Sequence, residues 1–234
     1  MRVLTWNLFH GRSLPPAPGG ELLRCFAGLL AAWEWDLALL QEVPPWWPPA
    51  LARAAHCEER HVLTSRNAPL ALRRALARRR PELMKSNGGG CNAVLARGAI
   101  TEHRRLPLRR WPERRVAQLV ALKDGTCAAN YHASTRVPLA EQELERLWQA
   151  ALEWADGRPL ILGGDLNLRK PSAPSSEISH VASRDVDHLF ARGLAARAEA
   201  RLLERRVELR GASVELSDHP PLLVELVAPD SARS

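Results

Sequence analysis

The sequence predicts an α/β fold with a mixed β-sheet, and two observations support this prediction. Apolar runs of strand length alternate with amphipathic helical patterns along the chain. Residues 114–122 and 126–132 read as two strands joined by a Lys-Asp-Gly hairpin signal, so one strand pair should be antiparallel. The 234 residues contain no clear linker and no repeat of fixed period, and we therefore expect a single domain over residues 1–234.

The first half of the chain begins with a strand over residues 2–7, two of which are β-branched. After a turn rich in proline and glycine, apolar residues recur at helical spacing from Leu22 to Trp33. Residues 36–40 form an apolar run typical of a buried strand. The other elements of this half are a rigid turn or helix start over residues 44–49, a helix over residues 69–79 with Arg73, Arg74, Arg78, Arg79 and Arg80, a break at Gly88-Gly89-Gly90 and a strand over residues 92–96.

The second half contains the clearest helical pattern of the chain. This helix starts at Pro138, carries an apolar stripe of leucine, tryptophan and alanine, and ends before Gly157 and Pro159. A buried strand over residues 160–162 then leads into the sequence Gly-Gly-Asp-Leu-Asn, and a long loop with prolines and serines follows. The last predicted strands cover residues 186–191, 194–201 and 222–227.

The charge composition gives a weak indication of function. Lys+Arg total 33 against 26 Asp+Glu, which gives a net charge of +7 and a pI of about 10. This excess is compatible with a polyanionic partner, but it also fits a solvated surface rich in arginine. The hydrophobic fraction of 46% can fill a core and excludes disorder as the main state. No apolar run approaches the ~20 residues that a membrane span needs.

The cysteines and the N-terminus favour a reducing compartment. Cys25, Cys57, Cys91 and Cys127 are isolated along the chain and show no C-x-x-C spacing, so neither a cysteine zinc site nor a disulfide framework is expected. The N-terminus lacks an apolar signal core and reads as a strand. We therefore expect free thiols in a cytoplasmic, monomeric protein.

Polar side chains gather at the ends of the predicted strands, where α/β folds place ligand-binding groups. Carboxylate and amide oxygens suit Mg²⁺ or Mn²⁺ better than zinc, and a metal on carboxylates beside histidines is what phosphoester hydrolysis requires. Each residue alone is also typical of a cap, a turn or a solvated strand end. The prediction therefore depends on the whole set: Asn7, Glu42, His132, Asp165, Asn167, Asp187, His188, Asp218 and His219.

Seven short motifs follow one another in a fixed order: Thr5-Trp6-Asn7, Leu40-Gln41-Glu42-Val43, Asn92-Ala93-Val94-Leu95, Asn130-Tyr131-His132, Gly164-Asp165-Leu166-Asn167, Val186-Asp187-His188-Leu189-Phe190 and Ser217-Asp218-His219-Pro220-Pro221. This ordered set resembles the endonuclease/exonuclease/phosphatase superfamily, the metal-dependent phosphohydrolases related to deoxyribonuclease I. The resemblance implies a four-layer α/β/β/α sandwich of two mixed β-sheets flanked by helices. It places the active site at one edge of the sandwich.

The resemblance also implies which residues bind the metal and the attacking water. Glu42 resembles the principal metal ligand of the superfamily, with Asn7 and Asp218 beside it. The implied cofactor is Mg²⁺ or Mn²⁺. Asp165 resembles the group that activates the water, and Asn167 the residue that helps to hold that water or the phosphate.

The histidines take the phosphate-binding positions of the superfamily. His132 and His219 resemble the two histidines that polarise the scissile phosphate, and Asp187 resembles the carboxylate that orients one of them. Asn92 resembles a residue near the cleft and is a possible substrate contact. His188 should point away from Asp187 because neighbouring residues on a strand face opposite sides, so we interpret it as structural.

The resemblance leaves the substrate open among three hypotheses. The first is a nuclease that cleaves DNA or RNA, supported by the six arginines of residues 104–115 and by Trp46, Trp47 and Trp111, which could stack on bases. The second is a phosphatase or phosphodiesterase acting on a small or lipid-derived, inositide-like phosphoester, whose extra phosphates the arginines would bind. The third is a catalytically silent domain that binds nucleic acid or protein, against which the complete set of acids and histidines argues.

His132 narrows the resemblance within the superfamily. Abasic-site endonucleases of this superfamily usually carry a tyrosine at this position, so the chain is closer to the deoxyribonuclease-like and phosphatase branches. A shift by one residue would place Tyr131 there instead. Strand alternation would then point that side chain to the opposite face, so we prefer the alignment on His132.

Overall fold

The computed structural model describes residues 1–64, 69–80, 83 and 90–229. Within these residues the chain forms four α-helices, one short 3₁₀-helix at Phe9–Gly11 and sixteen strands. The elements in chain order are β1 (Arg2–Asn7), β2 (Ser13–Leu14), α1 (Gly19–Ala32), β3 (Leu37–Val43), α2 (Pro48–Ala55), β4 (Glu58–Leu63), α3 (Leu70–Arg79), β5 (Cys91–Ala96), β6 (Ile100–Arg109), β7 (Arg115–Leu122), β8 (Cys127–His132), α4 (Val137–Ala155), β9 (Leu160–Asp165), β10 (Ile178–Arg184), β11 (Asp187–Arg192), β12 (Ala195–Ala196), β13 (Arg201–Leu202), β14 (Arg206–Leu209), β15 (Ala212–Leu216) and β16 (Leu222–Val227).

Two large mixed sheets contain most of the strands. The first sheet has the order β12-β16-β1-β3-β5-β4, and β13 also pairs with the outer side of β16. The second sheet has the order β10-β11-β9-β8-β7-β6. Each contains one parallel pair, β1 with β3 and β8 with β9, whereas the other neighbours are antiparallel. A small third sheet has the order β14-β15-β2.

The residues alternate along each strand between a helix-covered face and the face against the other sheet. On β1, Leu4 and Trp6 pack with α1 and α2, whereas Val3 points into the layer between the sheets. On the second sheet, Ala129 and Leu162 pack with α4, whereas Ala128 and Ile161 meet the first sheet. The four-layer α/β/β/α sandwich is therefore confirmed. No helix of the described residues is long and apolar enough to cross a membrane.

Most predicted elements are present with small shifts of their ends. The hairpin of β7 and β8 is antiparallel as predicted, and the helix expected from Pro138 begins one residue earlier. The helix predicted over residues 69–79 is α3. The predicted break lies outside the described residues except for Gly90.

The continuous strand predicted over residues 194–201 is wrong. This segment forms two strands of two residues each, β12 and β13, both antiparallel to β16. Ala196 pairs with Leu226 and Arg201 pairs with Leu223. The two positions are five residues apart on this segment but only three residues apart on β16. Arg197 still donates its backbone N–H to the backbone oxygen of Glu225 at 2.9 Å, so the segment leaves the ladder over residues 198–200.

Three buried polar side chains connect the two large sheets, and we call Thr5, Gln41 and Asn130 the inter-sheet amide cluster. Asn130 on β8 donates from Nδ2 to the backbone oxygens of Leu40 and Ala93 on the first sheet, at 3.0 and 2.9 Å. Its Oδ1 accepts from Gln41 Nε2 at 2.8 Å, and Gln41 also donates to Thr5 Oγ1 at 3.2 Å. The cluster is fully buried, so these bonds fix how one sheet sits on the other.

Gly164 lets β9 pass close to this cluster. Its φ of 134° is one that residues with a side chain rarely adopt, and a Cβ there would lie 1.9 Å from the backbone oxygen of Tyr131. The side-chain nitrogen of Gln41 would lie 3.1 Å from the same Cβ. Gln41, Gly164 and Asn130 each lie within two residues of a side chain at the sheet edge, so their packing positions that edge.

Asn130→Leu should lower the free energy of unfolding by about 3 kcal/mol or more, because two buried carbonyls and the Gln41 amide lose their partner. Gln118→Met is the matched control. Gln118 is paired with Asn130 across the β7–β8 ladder and equally buried, but its Oε1 has no hydrogen-bond partner within the described chain and its Nε2 contacts only the exposed His103 ring, at 3.2 Å. Its replacement should cost about 1 kcal/mol or less. Denaturant unfolding measures both, and equal losses would contradict a special role of Asn130.

Candidate active site

Five predicted site residues meet at one edge of the sandwich. Asn7 ends β1, Glu42 lies one residue before the end of β3, His132 ends β8, Asp165 ends β9 and Asp187 begins β11. They converge because β1 and β3 run parallel in one sheet, β8 and β9 run parallel in the other, and β11 returns antiparallel to β9. Asn7 Nδ2 donates to Asp165 Oδ2 at 2.9 Å, which joins the two sheets within the site itself.

The ring of His132 lies between two carboxylates. Its Nδ1 is 3.8 Å from Glu42 Oε1 and its Nε2 is 3.6 Å from Asp165 Oδ2. Burial lowers the pKa of His132 well below its usual value, and the positive charges of Arg115, His10 and His219 act in the same direction. His132 is therefore neutral at physiological pH and has one N–H to donate.

Glu42 is a nearly buried carboxylate among other acids. Burial raises its pKa to about 7, and the negative charges of Asp165 and Asp218 add to the increase. Its backbone φ of 49° coincides with an irregularity in the β3–β5 ladder between Leu40 and Val43. The raised pKa means that the chain alone does not neutralise the negative charge collected here.

Asp165 is held from several sides. It accepts the backbone N–H of Asn167 on Oδ1 at 3.1 Å and the Asn7 amide on Oδ2. Burial and the neighbouring charge of Asp187 raise its pKa to about 6. The side chain of Asn167 donates from Nδ2 to the backbone oxygen of Ala133 at 3.0 Å, next to His132. Asp165 is thus an ordered carboxylate that is still ionised at neutral pH.

His219 and Asp187 form a hydrogen-bonded pair. Nδ1 of His219 lies 2.8 Å from Asp187 Oδ2, and Nε2 lies 3.9 Å from Asp165 Oδ2. Burial alone would lower the pKa of His219, but the bond to Asp187 and the charges of Asp187, Asp165 and Asp218 raise it to about 9. His219 therefore carries a positive charge at neutral pH and presents Nε2–H to the cleft.

The loop that carries Asp218 and His219 is fixed by backbone and side-chain hydrogen bonds. Ser217 Oγ donates to the backbone oxygen of Asn7 at 2.6 Å and accepts the N–H of His219 at 3.0 Å. Trp6 Nε1 donates to the backbone oxygen of His219 at 2.9 Å. Asp218 is partly exposed, with Oδ1 3.9 Å from His219 Nε2. The structure thus brings Asp218 and His219 to the same edge as the strand-end residues.

In the described part of the chain, one group of acidic and histidine side chains is compact enough to hold a metal ion. Ligand atoms of Asp165, Asp187 and His219 all lie within 4.8 Å of one another. Nδ1 of His219 is already hydrogen-bonded to Asp187, however. We therefore interpret His219 as a histidine that Asp187 orients rather than as a metal ligand.

The oxygen donors around Glu42 fit a hard divalent cation. Glu42, Asn7 and Asp218 supply carboxylate and amide oxygens, the donors that Mg²⁺ and Mn²⁺ take. Burial and the negative charges of Asp165 and Asp218 raise the pKa of Glu42, and a bound cation would favour its ionised form. The roles assigned to these three residues remain predictions.

Sequence reasoning missed His10 and Arg12, which follow β1 in the 3₁₀ turn. His10 is buried, with Nε2 3.2 Å from Glu42 Oε2, although the angle is too poor for a hydrogen bond. Burial lowers the pKa of His10 to about 3, so the ring is neutral. The Arg12 guanidinium lies 3.7 Å from the centre of the Phe9 ring, and its positive charge acts on Glu42 and Asp218. The signal available in the sequence was a His and an Arg directly after a strand that ends in the site.

Sequence reasoning also missed Glu143, a fully buried carboxylate on α4. It accepts hydrogen bonds from the hydroxyl of Tyr131, from the backbone and hydroxyl of Ser134 and from Arg109. These partners flank His132, so Glu143 holds the end of β8. Tyr131 points to α4 and away from the cleft, which agrees with the alignment on His132.

The remaining predicted residues lie away from the cleft centre. Asn92 is buried and donates to the backbone oxygen of Val116 at 3.0 Å, so its role as a substrate contact stays a prediction. His188 is buried on the other side of β11 and contacts the backbone oxygen of Leu168 and His180. Trp47 is buried with a ring 5.4 Å from Phe26, and Trp46 packs on the same core. Trp111 is 70% exposed.

A sequence profile of the Endonuclease/Exonuclease/phosphatase family matches residues 4–219. No curated protein sequence matches the chain. The fold is similar to an endonuclease/exonuclease/phosphatase from Beutenbergia cavernae DSM 12333, at 18% identity with a TM-score of 0.66, over 97% of this chain and 71% of that one. It is also similar to TDP2 from Caenorhabditis elegans, at 17% identity with a TM-score of 0.69, over 97% of this chain and 74% of that one.

The catalytic domain of human Nocturnin, solved with a bound sulfate anion, has 19% identity and a TM-score of 0.67, over 97% of this chain and 94% of that one. At these identities the solved structures show a shared fold. The family profile covers most of the chain, and the chain belongs to the endonuclease/exonuclease/phosphatase family of divalent-metal-dependent phosphoester hydrolases.

Asp187→Asn should lower the pKa of His219 by more than one unit, because the largest of the raising charges is lost and the side-chain bond then goes to a neutral amide oxygen. Because the pKa of His219 is raised in the folded state, protonation of His219 stabilises the wild-type fold. This contribution to the free energy of unfolding is complete below about pH 6.5, the usual histidine value, and is lost as the pH rises through about 9. An NMR titration of the His219 ring without metal measures the shift. Asp185→Asn, two residues away and exposed, is the control, and an unchanged His219 pKa in Asp187→Asn would contradict the pairing.

Proposed function

We propose that this member of the endonuclease/exonuclease/phosphatase family is a phosphodiesterase that cleaves DNA or RNA with Mg²⁺ or Mn²⁺. The observation that supports the reaction is the convergence of the charged His219–Asp187 pair, the ionised Asp165 and the acidic Glu42 at one edge. A phosphodiester needs its negative charge neutralised while water attacks phosphorus, and these groups supply both functions.

The metal would be held by Glu42, Asn7 and Asp218. When bound, it supplies positive charge to the phosphate oxygens in the transition state. His10 and His132 are neutral and adjacent to Glu42, so they leave the acidic character of this position intact. Such an arrangement favours cation binding over protonation of Glu42 near neutral pH.

The other residues act on water and phosphate. Asp165 accepts the proton of the attacking water, whose oxygen forms the new bond to phosphorus as the bond to the leaving oxygen breaks, and the leaving oxygen takes up a proton from solvent water. Asn167 keeps Asp165 in position through its backbone N–H. His219 donates from Nε2 to a non-bridging oxygen, and Asp187 keeps this imidazole oriented and charged. His132 donates its single N–H to the same phosphate.

The surroundings of the site favour a polymer substrate. Gln118 pairs with Asn130, so the start of β7 at Arg115 lies beside the end of β8 at His132. The tip of the β6–β7 hairpin, which carries Arg110, Arg114 and the exposed Trp111, therefore lies at the same edge of the second sheet as the site. Arginines bind backbone phosphates, and an exposed tryptophan can stack on a base.

A small phosphoester is the second candidate. Arg115 is largely buried, and its charge acts on His132 and His10. Arg12 is partly buried close to Glu42. Guanidinium groups placed this deep could bind the additional phosphates of a compact ligand such as an inositide.

Purified protein with Mg²⁺ or Mn²⁺ should cleave single-stranded DNA, RNA or plasmid faster than it releases phosphate from small monoesters and diesters. Asp165→Asn should reduce this cleavage by about 10³-fold, and His219→Asn by about 10²-fold or more, because the proton acceptor and the phosphate donor are lost. Exposed Asp185→Asn and His56→Asn are the matched controls and should keep full activity.

Phosphate release from small molecules without cleavage of any nucleic acid would rule out the polymer substrate. Full activity of Asp165→Asn would rule out the proposed site. Removal of the metal with EDTA should abolish cleavage, and addition of Mg²⁺ or Mn²⁺ should restore it.

A further inference from the structure

A cavity separate from the proposed active site lies between the open edges of the two large sheets. The edge strand β4 of the first sheet lies next to the edge strand β6 of the second, and a cavity of about 480 Å³ opens between them. Its walls are formed by His61, Val62, Leu63, His103, Arg105 and Arg114. We propose that this cavity binds a backbone phosphate of the substrate strand, away from the bond that is cleaved.

The cavity begins at the active-site edge. Leu63 on its wall pairs with Cys91, and the next residue, Thr64, donates to the backbone oxygen of Gly90 at 3.1 Å. Gly90 lies against His10 and Glu42, since a Cβ built there would be 3.4 Å from the ring of the first and 3.6 Å from Cα of the second. A strand bound at the metal position could therefore continue into this cavity.

The cavity wall formed by β6 is connected to the active-site edge by the β6–β7 hairpin. Arg114 lines the cavity and directly precedes Arg115, which begins β7 beside the end of β8. On β6, Arg105 pairs with Gln118 across the ladder, so its side chain lies on the face toward the first sheet. Both walls thus connect the cavity with the proposed catalytic centre.

The lining chemistry suits an anion. Two guanidinium groups and two imidazoles face the cavity, and none of its six lining residues is a carboxylate. Within the described ranges, neither the Arg105 nor the Arg114 guanidinium makes a hydrogen bond or ion pair. A phosphate diester would satisfy these donors, and bidentate bonding to guanidinium suits its geometry.

The two imidazoles are held in place by neighbours outside the cavity. His61 Nδ1 lies 3.0 Å from Glu59 Oε2, and this bond raises the pKa of His61 above its usual value. Burial lowers the pKa of His103, and the charges of Arg60 and His61 add to this effect. The buried side chain of Gln118 contacts His103 Nε2 at 3.2 Å and holds that ring against the wall.

The acids near the cavity already have partners. Glu59 contacts His61, and Glu58 lies 3.5 Å from Arg60 and accepts the backbone N–H of Ile100. Glu113 bonds to Arg115. The local field at the cavity is therefore positive, in contrast to the acidic centre around Glu42.

The test measures binding and uses cleavage only as a separate readout. In an Asp165→Asn background with Mg²⁺, fluorescence anisotropy would give the Kd of single-stranded DNA and RNA of about twelve nucleotides, a length within the usual site sizes for single strands. Arg105→Gln should raise this Kd by about five-fold or more and reduce the slope of log Kd against log salt by about 0.7, as the loss of one phosphate contact requires.

Arg104→Gln is the matched control. It removes the same charge from the neighbouring residue of β6, whose guanidinium lies on the opposite face, 5.9 Å from the Trp154 ring. Its Kd should stay within about two-fold of the parent, because a distant exposed charge is screened. Arg114→Gln is the second test variant and should behave like Arg105→Gln. Thermal unfolding of each variant checks that it is folded.

The cavity proposal uses the nucleic-acid substrate of the proposed function, but the two can fail separately. Equal Kd values for Arg105→Gln and Arg104→Gln, or no binding of either strand by the parent, would overturn the cavity proposal. A selective loss of binding in Arg105→Gln and Arg114→Gln would support it. If the enzyme with Asp165 binds these strands but cleaves none of them, the proposed function fails while the phosphate site stands.

Discussion

The arrangement of the site depends on the inter-sheet amide cluster of Thr5, Gln41 and Asn130. Apolar packing between two sheets is not directional, so it does not by itself determine how far one sheet slides over the other. The hydrogen bonds from Asn130 to two carbonyls of the opposite sheet do determine it, because buried polar groups are costly to leave unpaired. Glu42 on one sheet and Asp165 on the other can meet only when the sheets are in this position.

The second constraint is electrostatic. Glu42 and Asp165 are buried close to other acids, and their raised pKa values measure the cost of this arrangement. Asp187 avoids part of this cost through its bond to His219, whose pKa rises to about 9. Around Glu42 the adjacent imidazoles of His10 and His132 are neutral, and the positive charges of His219 and Arg12 offset the rise of its pKa only in part. We propose that these two charges select a divalent cation at Glu42 and a phosphate at His219.

The inner strands and the strand-end residues could be predicted from sequence because each leaves a local signal. Apolar runs mark β3 and β9, and the motif order places the proposed site residues at strand ends. The missed strands β4, β6 and β10 are edge strands. β4 and β6 are rich in charged residues that protect an open edge, and β10 is rich in serine and other polar residues, so all three resemble surface loops in sequence. Glu143 resembles a solvated helix residue, and only the tertiary contacts reveal its burial. His10 reaches Glu42 through a left-handed turn that no local pattern predicts.

We propose that the inter-sheet amide cluster holds Glu42 beside Asp165 of the other sheet, and that Glu42, Asn7 and Asp218 together form a divalent-cation site. Isothermal titration calorimetry of Mn²⁺ binding tests it directly. Mn²⁺ should bind the wild type and the control Glu153→Gln, an exposed change on α4, with the same affinity, and Glu42→Gln should lose this binding while its thermal unfolding stays cooperative. Unchanged Mn²⁺ binding in Glu42→Gln would contradict the account.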